Sequence, residues 1–312
     1  MVVPIKEEVK GIFRIGPLKT GHPSATTSPF LVVGSERAAV LEPGEDGQVA
    51  GLVEGIKQCG VDLDRVEYVW ASHIHLHHMQ GLPWLLKELP KAKFLVHPRA
   101  APHVVEPTRL VESTIQVWGD KCYGPFQGIA KERVQTVEDG QVIDLGGREL
   151  EIIWSPGHAP HHMGLFDRQT RVLFPGDLDT GAGSSSGTTF MADLHVNSMR
   201  RYRALKPSML LTFGRTDSLP AEEVLLGVEV EFLGLECIYL RALREKLSLD
   251  EMGRRTRDLR NWIGQERWQP VGPGLQVSRP AEERIAGEEV APHVLAYLKR
   301  KYPDLEMPAG TR

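Results

Sequence analysis

Four histidines fall within six residues of this 312-residue chain, which holds twelve histidines in all. They are His73, His75, His77 and His78. The apolar run VEYVWA at 66–71 predicts a β-strand that ends just before this cluster. His158 stands in the same way after a predicted strand at Leu150–Trp154, and Asp177 after one at Arg171–Phe174. Because strand ends on one rim of a sheet converge, we expect an α/β fold with these side chains gathered at one edge.

The residue types at these strand ends indicate a metal site. Neutral imidazole is the commonest metal ligand in proteins, and a carboxylate commonly joins it. His73 and His75 are two residues apart, so both can reach one ion from a strand end or a tight loop. His78 lies where a helix is expected to begin, and Asp177 is the candidate bridge between two adjacent ions. Zinc and iron both suit three imidazoles and one carboxylate, and the spacing does not choose between them.

The pattern of apolar residues divides the chain into two parts. In the first part predicted strands alternate with helices, for example a helix at Val49–Ile56 and a late strand at Met209–Phe213. The second part is helical and opens on a long apolar-periodic stretch at Glu222–Lys246. The expected domains are therefore an α/β domain at 1–218 and a helical C-terminal extension at 219–312.

Composition and charge exclude several classes of function. The net charge is −4 and the pI about 6.3, with no basic stripe, so no nucleic-acid partner is expected. No apolar run approaches the roughly 18 residues of a membrane span, so no membrane partner is expected. The three cysteines form no C-x-x-C pair, and the N-terminus lacks the apolar core of a signal peptide. We therefore expect a cytoplasmic protein with a small-molecule substrate, and a homodimer is possible.

The motifs along the first 218 residues resemble those of the metallo-β-lactamase superfamily. HIHLHH at 73–78 resembles the H-x-H-x-D-H signature of that family. AAVLEPG at 38–44 is similar to its early strand and acidic turn, with glutamate where aspartate is usual. SPGH at 155–158 is similar to its T-P-G-H segment, and FPGD at 174–177 to its F-x-G-D segment. The resemblance implies an αββα four-layer sandwich with the metals at one edge, followed by the helical extension.

The resemblance also implies a ligand set. His73, His75 and His158 would hold a first metal, and His78 would help to hold a second, with Asp177 between them. Two positions depart from the family pattern: His77 stands in place of the aspartate, and Arg215 stands in place of the last histidine ligand. An arginine about 4 Å from a divalent ion would cost roughly 8 kcal/mol at an effective dielectric constant near 20. The second site is therefore expected to be weak, altered or empty unless Arg215 points away.

The resemblance implies a metal-dependent hydrolase with one or two zinc ions. A metal-activated water would attack an ester, thioester, lactone or phosphoester, with Asp177, His77 and Arg215 as the candidate catalytic residues. His77 remains a candidate metal ligand as well, because imidazole binds metals. Two alternatives stay open: an iron-containing redox or oxygen-binding protein on the same fold, and a non-catalytic binding protein with a degenerate second metal site.

Overall fold

The computed structural model describes residues 2–19, 26–118, 126–178, 191–248, 251–252, 254–256, 258–259, 295 and 297–305. The strands, in chain order, are β1 (Ile5–Val9), β2 (Ile12–Ile15), β3 (Leu18–Lys19), β4 (Thr26–Thr27), β5 (Phe30–Val33), β6 (Ala38–Leu41), β7 (Val66–Trp70), β8 (Lys93–Val96), β9 (Val134–Thr136), β10 (Val142–Asp144), β11 (Glu149–Trp154), β12 (Met163–Asp167), β13 (Val172–Phe174) and β14 (Met209–Leu210). The α-helices are α1 (Val49–Gln58), α2 (Leu76–Met79), α3 (Leu82–Glu88), α4 (Ala101–Val105), α5 (Thr108–Trp118), α6 (Ala192–Ala204) and α7 (Ala221–Arg244).

The strands form two large sheets and a two-stranded ribbon. The first sheet has seven strands in the order β1-β2-β5-β6-β7-β8-β9, and the second has five in the order β10-β11-β12-β13-β14. Strands β6 to β9 run parallel to one another, while β12 pairs antiparallel with both β11 and β13. The ribbon consists of β3 and β4. In each sheet a set of parallel strands therefore points its carboxyl ends toward a common edge.

The two sheets pack face to face, and helices cover their outer faces. Phe30 of the first sheet and Phe174 of the second meet edge to face, with ring centroids 5.1 Å apart. Along β7 successive residues alternate between layers, because Trp70 lies in the core between the sheets and Val69 in the core under α1 and α3. Tyr202 of α6 lies in a third core, which also contains residues of α7 and the second sheet. The order of layers is helix, sheet, sheet, helix, so the predicted αββα sandwich is confirmed.

The long helix predicted at Glu222–Lys246 is present as α7, and the helix predicted at Val49–Ile56 as α1. The strand predicted at Met209–Phe213 is shorter, because β14 ends at Leu210. Beyond it the carbonyl of Thr212 accepts from the Arg14 guanidinium at 3.3 Å, and the carbonyl of Phe213 accepts from the Ser28 amide at 3.0 Å. These carbonyl groups are thus hydrogen-bonded to residues far away in the sequence and not to a neighbouring strand. Within the described ranges, no helix has the length and apolar composition that crossing a bilayer requires.

Candidate metal centre

The loops that follow the parallel strands carry the predicted ligands. His73 follows β7, His158 follows β11, and Asp177 follows β13. His75 precedes the first turn of α2, and this short helix carries His77 and His78. The structure therefore brings all six predicted metal-binding residues to one edge of the sandwich. Their assignment as ligands stays a prediction, which the geometry below supports.

Three imidazole nitrogens form a triangle at this edge. His73 Nε2 lies 2.8 Å from His75 Nδ1, and His158 Nε2 lies 3.1 Å and 3.0 Å from those two atoms. Zinc–nitrogen bonds of about 2.0–2.1 Å in tetrahedral geometry would place such nitrogens roughly 3.3 Å apart, so little movement is needed to admit an ion. Burial, together with the neighbouring histidines, lowers the pKa of His73 and of His75 well below its usual value. These imidazoles are therefore neutral and have lone pairs to offer a cation.

Asp177 lies between this triangle and a second group of ligands. Its Oδ2 is 3.5 Å from His158 Nε2 and 3.9 Å from both His73 Nε2 and His77 Nε2, while its Oδ1 is 3.3 Å from His78 Nε2. The two oxygens thus face different sides, as a bridging carboxylate would. Burial opposes ionisation of Asp177, but His78 and His77 outweigh it and hold the pKa of the carboxyl well below its usual range.

Two groups of donor atoms satisfy the distances of a metal site. One is His73, His75, His158 and Asp177, and the other is His73, His77, His78 and Asp177. Within each group the ligand atoms lie within 4.8 Å of one another. The side chains of His77 and Asp177 are each 32% exposed, whereas those of His73 and His158 are fully buried. The centre is thus open to solvent on the side of His77 and Asp177.

His78 shows most directly that the second group fits a cation. Its Nδ1 lies 2.7 Å from Glu42 Oε2, while its buried Nε2 makes no hydrogen bond and faces Asp177 Oδ1. Burial lowers the pKa of His78, but the Glu42 and Asp177 carboxylates outweigh it and raise the pKa to about 10. Two carboxylates around one imidazole therefore favour positive charge at this point, which a metal ion at Nε2 would supply in place of a proton.

Glu42 is positioned by an unusual backbone. Its φ of 56° lies in the left-handed region, and its side chain is almost fully buried. Besides contacting His78, its carboxylate accepts a hydrogen bond from the Ser72 amide at 3.2 Å, and the Ser72 hydroxyl lies 3.0 Å from His73 Nδ1. One buried acid therefore helps to orient ligands from two different segments. The sequence placed Glu42 in a family turn but gave no sign of these contacts.

His162 fixes the segment that carries Asp177. The backbone amide of Asp177 donates to His162 Nε2 at 3.1 Å, so this nitrogen must carry the lone pair. His162 Nδ1 then holds the proton and lies 3.0 Å from the carbonyl oxygen of Ser155. The Ser155 hydroxyl in turn accepts from the Tyr202 hydroxyl at 2.5 Å. The sequence shows His162 at the end of the segment PGHAPHH at 156–162, but not which group this imidazole would hold.

Arg215 and Phe213 occupy different places in the loop after β14. The Arg215 guanidinium pairs with the Asp217 carboxylate, with Nε–Oδ1 and Nη2–Oδ2 distances of 3.0 and 3.1 Å. The buried Phe213 ring lies 5.2 Å from the His78 ring, centroid to centroid, at an interplanar angle of 35°. From this loop it is therefore a phenyl ring that covers His78. The catalytic roles of Asp177, His77 and Arg215 stay predictions.

The comparisons with known proteins agree with this fold. The model of the metallo-beta-lactamase superfamily matches residues 25–215. A metallo-beta-lactamase fold-containing protein of Sulfurisphaera tokodaii is 32% identical over 160 residues, which are 47% of this chain and 60% of that protein. An acyl-coenzyme A thioesterase of Bos taurus is 27% identical over 172 residues, which are 48% of this chain and 57% of that protein. The matches thus span less than two thirds of these relatives.

A solved structure extends the likeness beyond the matched region. The crystal structure of a metallo-beta-lactamase family protein of Thermus thermophilus superimposes with a TM-score of 0.61 at 16% identity, covering 94% of each chain. At this identity it shows the fold alone. Since the family model spans more than half of the chain, the protein belongs to the metallo-β-lactamase superfamily, and the resemblance drawn from its four motifs is confirmed.

Proposed function

We propose that the protein is a metal-dependent hydrolase that cleaves acyl esters or thioesters. The observation that carries the proposal is the convergence of His73, His75 and His158 on one point, with the partly exposed Asp177 beside them. Neutral imidazoles and one carboxylate at an open edge are the ligands of a catalytic metal site that keeps a position free for water or substrate. The name of the Bos taurus relative supports thioesters as one substrate class.

Each residue of the centre has a role that follows from its position. His73, His75 and His158 would hold the ion, which when bound supplies an activated water and polarises the substrate carbonyl. The Asp177 carboxylate, with its lowered pKa, stays ionised and can accept a hydrogen bond from a water molecule at Oδ2, which orients that water. Glu42 holds His78 at Nδ1, so that Nε2 faces the centre. The exposed side, formed by His77 and Asp177, is where substrate can approach.

The donor set also fits iron, because every donor is nitrogen or oxygen and no cysteine belongs to either group. This chemistry supports the redox or oxygen-binding alternative as a second candidate. The discriminating experiment is elemental analysis of protein from cells grown with both metals. Iron, with no turnover of any acyl substrate, would favour the alternative, whereas zinc with turnover would eliminate it.

The proposal is tested with p-nitrophenyl butyrate and a butyryl thioester, in a panel that also includes a lactone and a phosphoester. We expect turnover by the wild-type protein, its loss on chelation, and its loss in His158→Ala, which removes one corner of the triangle. Arg200→Ala is a matched surface control, since Arg200 pairs with Glu229 on α7. A wild-type protein that carries its metal and hydrolyses no member of the panel would overturn the proposal.

A further inference from the structure

His161 lies beside the metal centre but belongs to neither group of donor atoms. Its ring centroid is 6.5 Å from that of His73, on the loop that also carries His158. The backbone amide of Ile74 donates to His161 Nε2 at 3.3 Å. Because an amide nitrogen can only donate, Nε2 must carry the lone pair and Nδ1 the proton. The contact therefore fixes the tautomer of a half-buried imidazole next to the reaction site.

The Nδ1–H group of His161 is available to donate a hydrogen bond to a substrate. In the described part of the chain, His161 Nδ1 has no hydrogen-bond partner, and the side chain is partly exposed. Burial, followed by His97 and His158, lowers the pKa of His161 to about 3. The imidazole thus stays neutral across the physiological range. A neutral imidazole held in one tautomer is a suitable donor to a carbonyl oxygen, because it polarises the carbonyl without titrating.

Trp154 contacts the residue that precedes His161 and packs against His97 and Arg99. Trp154 Nε1 donates to the carbonyl of Pro160 at 3.1 Å, which fixes the residue just before His161. The His97 ring stacks on Trp154 at 5.8 Å and 26°, and the Arg99 guanidinium lies over the indole, 5.8 Å from its centroid. His97 follows β8, which neighbours the strand that leads to the metal ligands. The segment that carries His161 is thus held at Pro160 by the Trp154 indole, which itself packs against His97 and Arg99.

We propose that His161 orients the substrate: its Nδ1–H donates a hydrogen bond to the carbonyl oxygen of an acyl ester or thioester. The identity of the substrate rests on the proposed function, whereas the donor role rests on the tautomer and the position of His161. The competing explanation is that His161 merely anchors the amide of Ile74 through Nε2. The two explanations assign the important contact to opposite nitrogens of the same ring.

Three substitutions of His161 distinguish a role of Nδ1 from a role of Nε2. Asparagine places its amide N–H near the position of Nδ1, glutamine places its amide near the position of Nε2, and phenylalanine keeps a ring but removes both. With p-nitrophenyl butyrate, we expect His161→Gln and His161→Phe to lower kcat/KM by roughly a hundredfold to a thousandfold, the range for a lost oxyanion donor. His161→Asn should recover most of this loss. Metal content and the thermal unfolding midpoint should match the wild type in all three variants, which shows that each one folds.

The kinetics of these variants decide between the two explanations. Recovery by glutamine but not by asparagine would show that Nε2 is the important atom and would overturn the proposal, as would asparagine doing no better than phenylalanine. Unchanged kinetics in all three variants would overturn it while leaving the proposed function intact.

If the wild type hydrolyses no ester, the proposed function is wrong, but the donor role of His161 can still be tested by a binding measurement. Butyrate, a product-like carboxylate, is titrated into the metal-loaded protein while the imidazole nitrogen resonances are followed. We expect the Nδ1 resonance of His161 to shift, and Kd to rise in the Gln and Phe variants but not in Asn. No binding by the wild type, or equal Kd in all four proteins, would overturn the proposal.

Discussion

Phe213 determines what surrounds His78 on the side of the loop after β14. Its ring packs against the imidazole and offers no lone pair, so on that side His78 has a carbon neighbour. The remaining donors of the second group are His73, His77 and Asp177. Among the described residues, the predicted second site therefore consists of these donors and His78, with His77 in place of the aspartate of the family pattern. The Arg215 guanidinium forms an ion pair with Asp217. This pairing reduces the repulsion that its positive charge would exert on an ion in the second site.

The single substitution Phe213→His is expected to increase the affinity of the second site for a metal ion. An imidazole in place of the phenyl ring would add a nitrogen next to His78, and we expect roughly tenfold tighter binding of the second metal equivalent, or about 1.4 kcal/mol. The measurement is a zinc titration against a competing chelator. Arg215→Ala is the matched control from the same loop and should leave the second binding constant unchanged. A gain in Arg215→Ala and none in Phe213→His would show that the cation, not the phenyl ring, limits the site.

The element that positions Asp177 is the turn after β13, and it depends on Gly176. This glycine has φ of 69°, and an added Cβ would lie 2.4 Å from His162 Nε2 and 2.5 Å from Ser72 Cβ. A side chain there would be strained and would also push on the imidazole that holds the Asp177 amide. The conformation of this turn therefore determines where the Asp177 carboxylate lies.

Gly176→Ala should accordingly destabilise the protein by roughly 1–3 kcal/mol, the cost of a strained non-glycine backbone, and should lower its metal content. Chemical denaturation and elemental analysis measure the two effects. Gly214→Ala is the control, because Gly214 is a loop glycine near the same edge with open space where a Cβ would stand. Equal stability and metal content in the two variants would show that the turn does not position Asp177.

The sequence predicted the elements well wherever a strand ended at a polar cluster. VEYVWA and the run before His158 were identifiable because buried strands are continuous apolar runs and the residues after them are not. The run Met209–Phe213 carried the same signal, yet the strand ends at Leu210, since Arg14 and Ser28 bind the backbone beyond it. Such partners lie far away in the sequence. For the same reason, local pattern could not show the contact from Glu42 to His78 or from Phe213 to His78.

At the scale of the whole molecule, the C-terminal residues pack onto the α/β layers. Residues of α7 share a core with α6 and the second sheet, and Tyr297 donates to Asp193 of α6 at 2.6 Å. The sequence predicted helices after residue 218 but not the face on which they would pack, because an amphipathic pattern does not identify its partner. The domain boundary between residues 218 and 219 stays a prediction.

The buried neutral histidines make the metal-free protein sensitive to acid. The pKa of His161 is lowered from 6.5 to about 3, first by burial, so between these values the unfolded chain binds a proton that the folded chain does not. Stability from this group is therefore full above pH 6.5 and falls as the pH drops toward 3, by at most about 1.4 kcal/mol per pH unit. Urea unfolding of chelated protein should show a shallower loss in His161→Asn than in the wild type. Identical pH profiles would contradict the lowered pKa of His161.

We infer that the edge formed by the ends of β7, β11 and β13 holds a metal ion, and elemental analysis of protein purified without chelators tests this claim. We predict at least one equivalent of zinc or iron per chain in the wild type and a large loss in His158→Ala. Any second equivalent should disappear in His77→Ala. A wild-type protein that contains essentially no metal after growth with both zinc and iron, or a His158→Ala variant that keeps its full content, would contradict the claim.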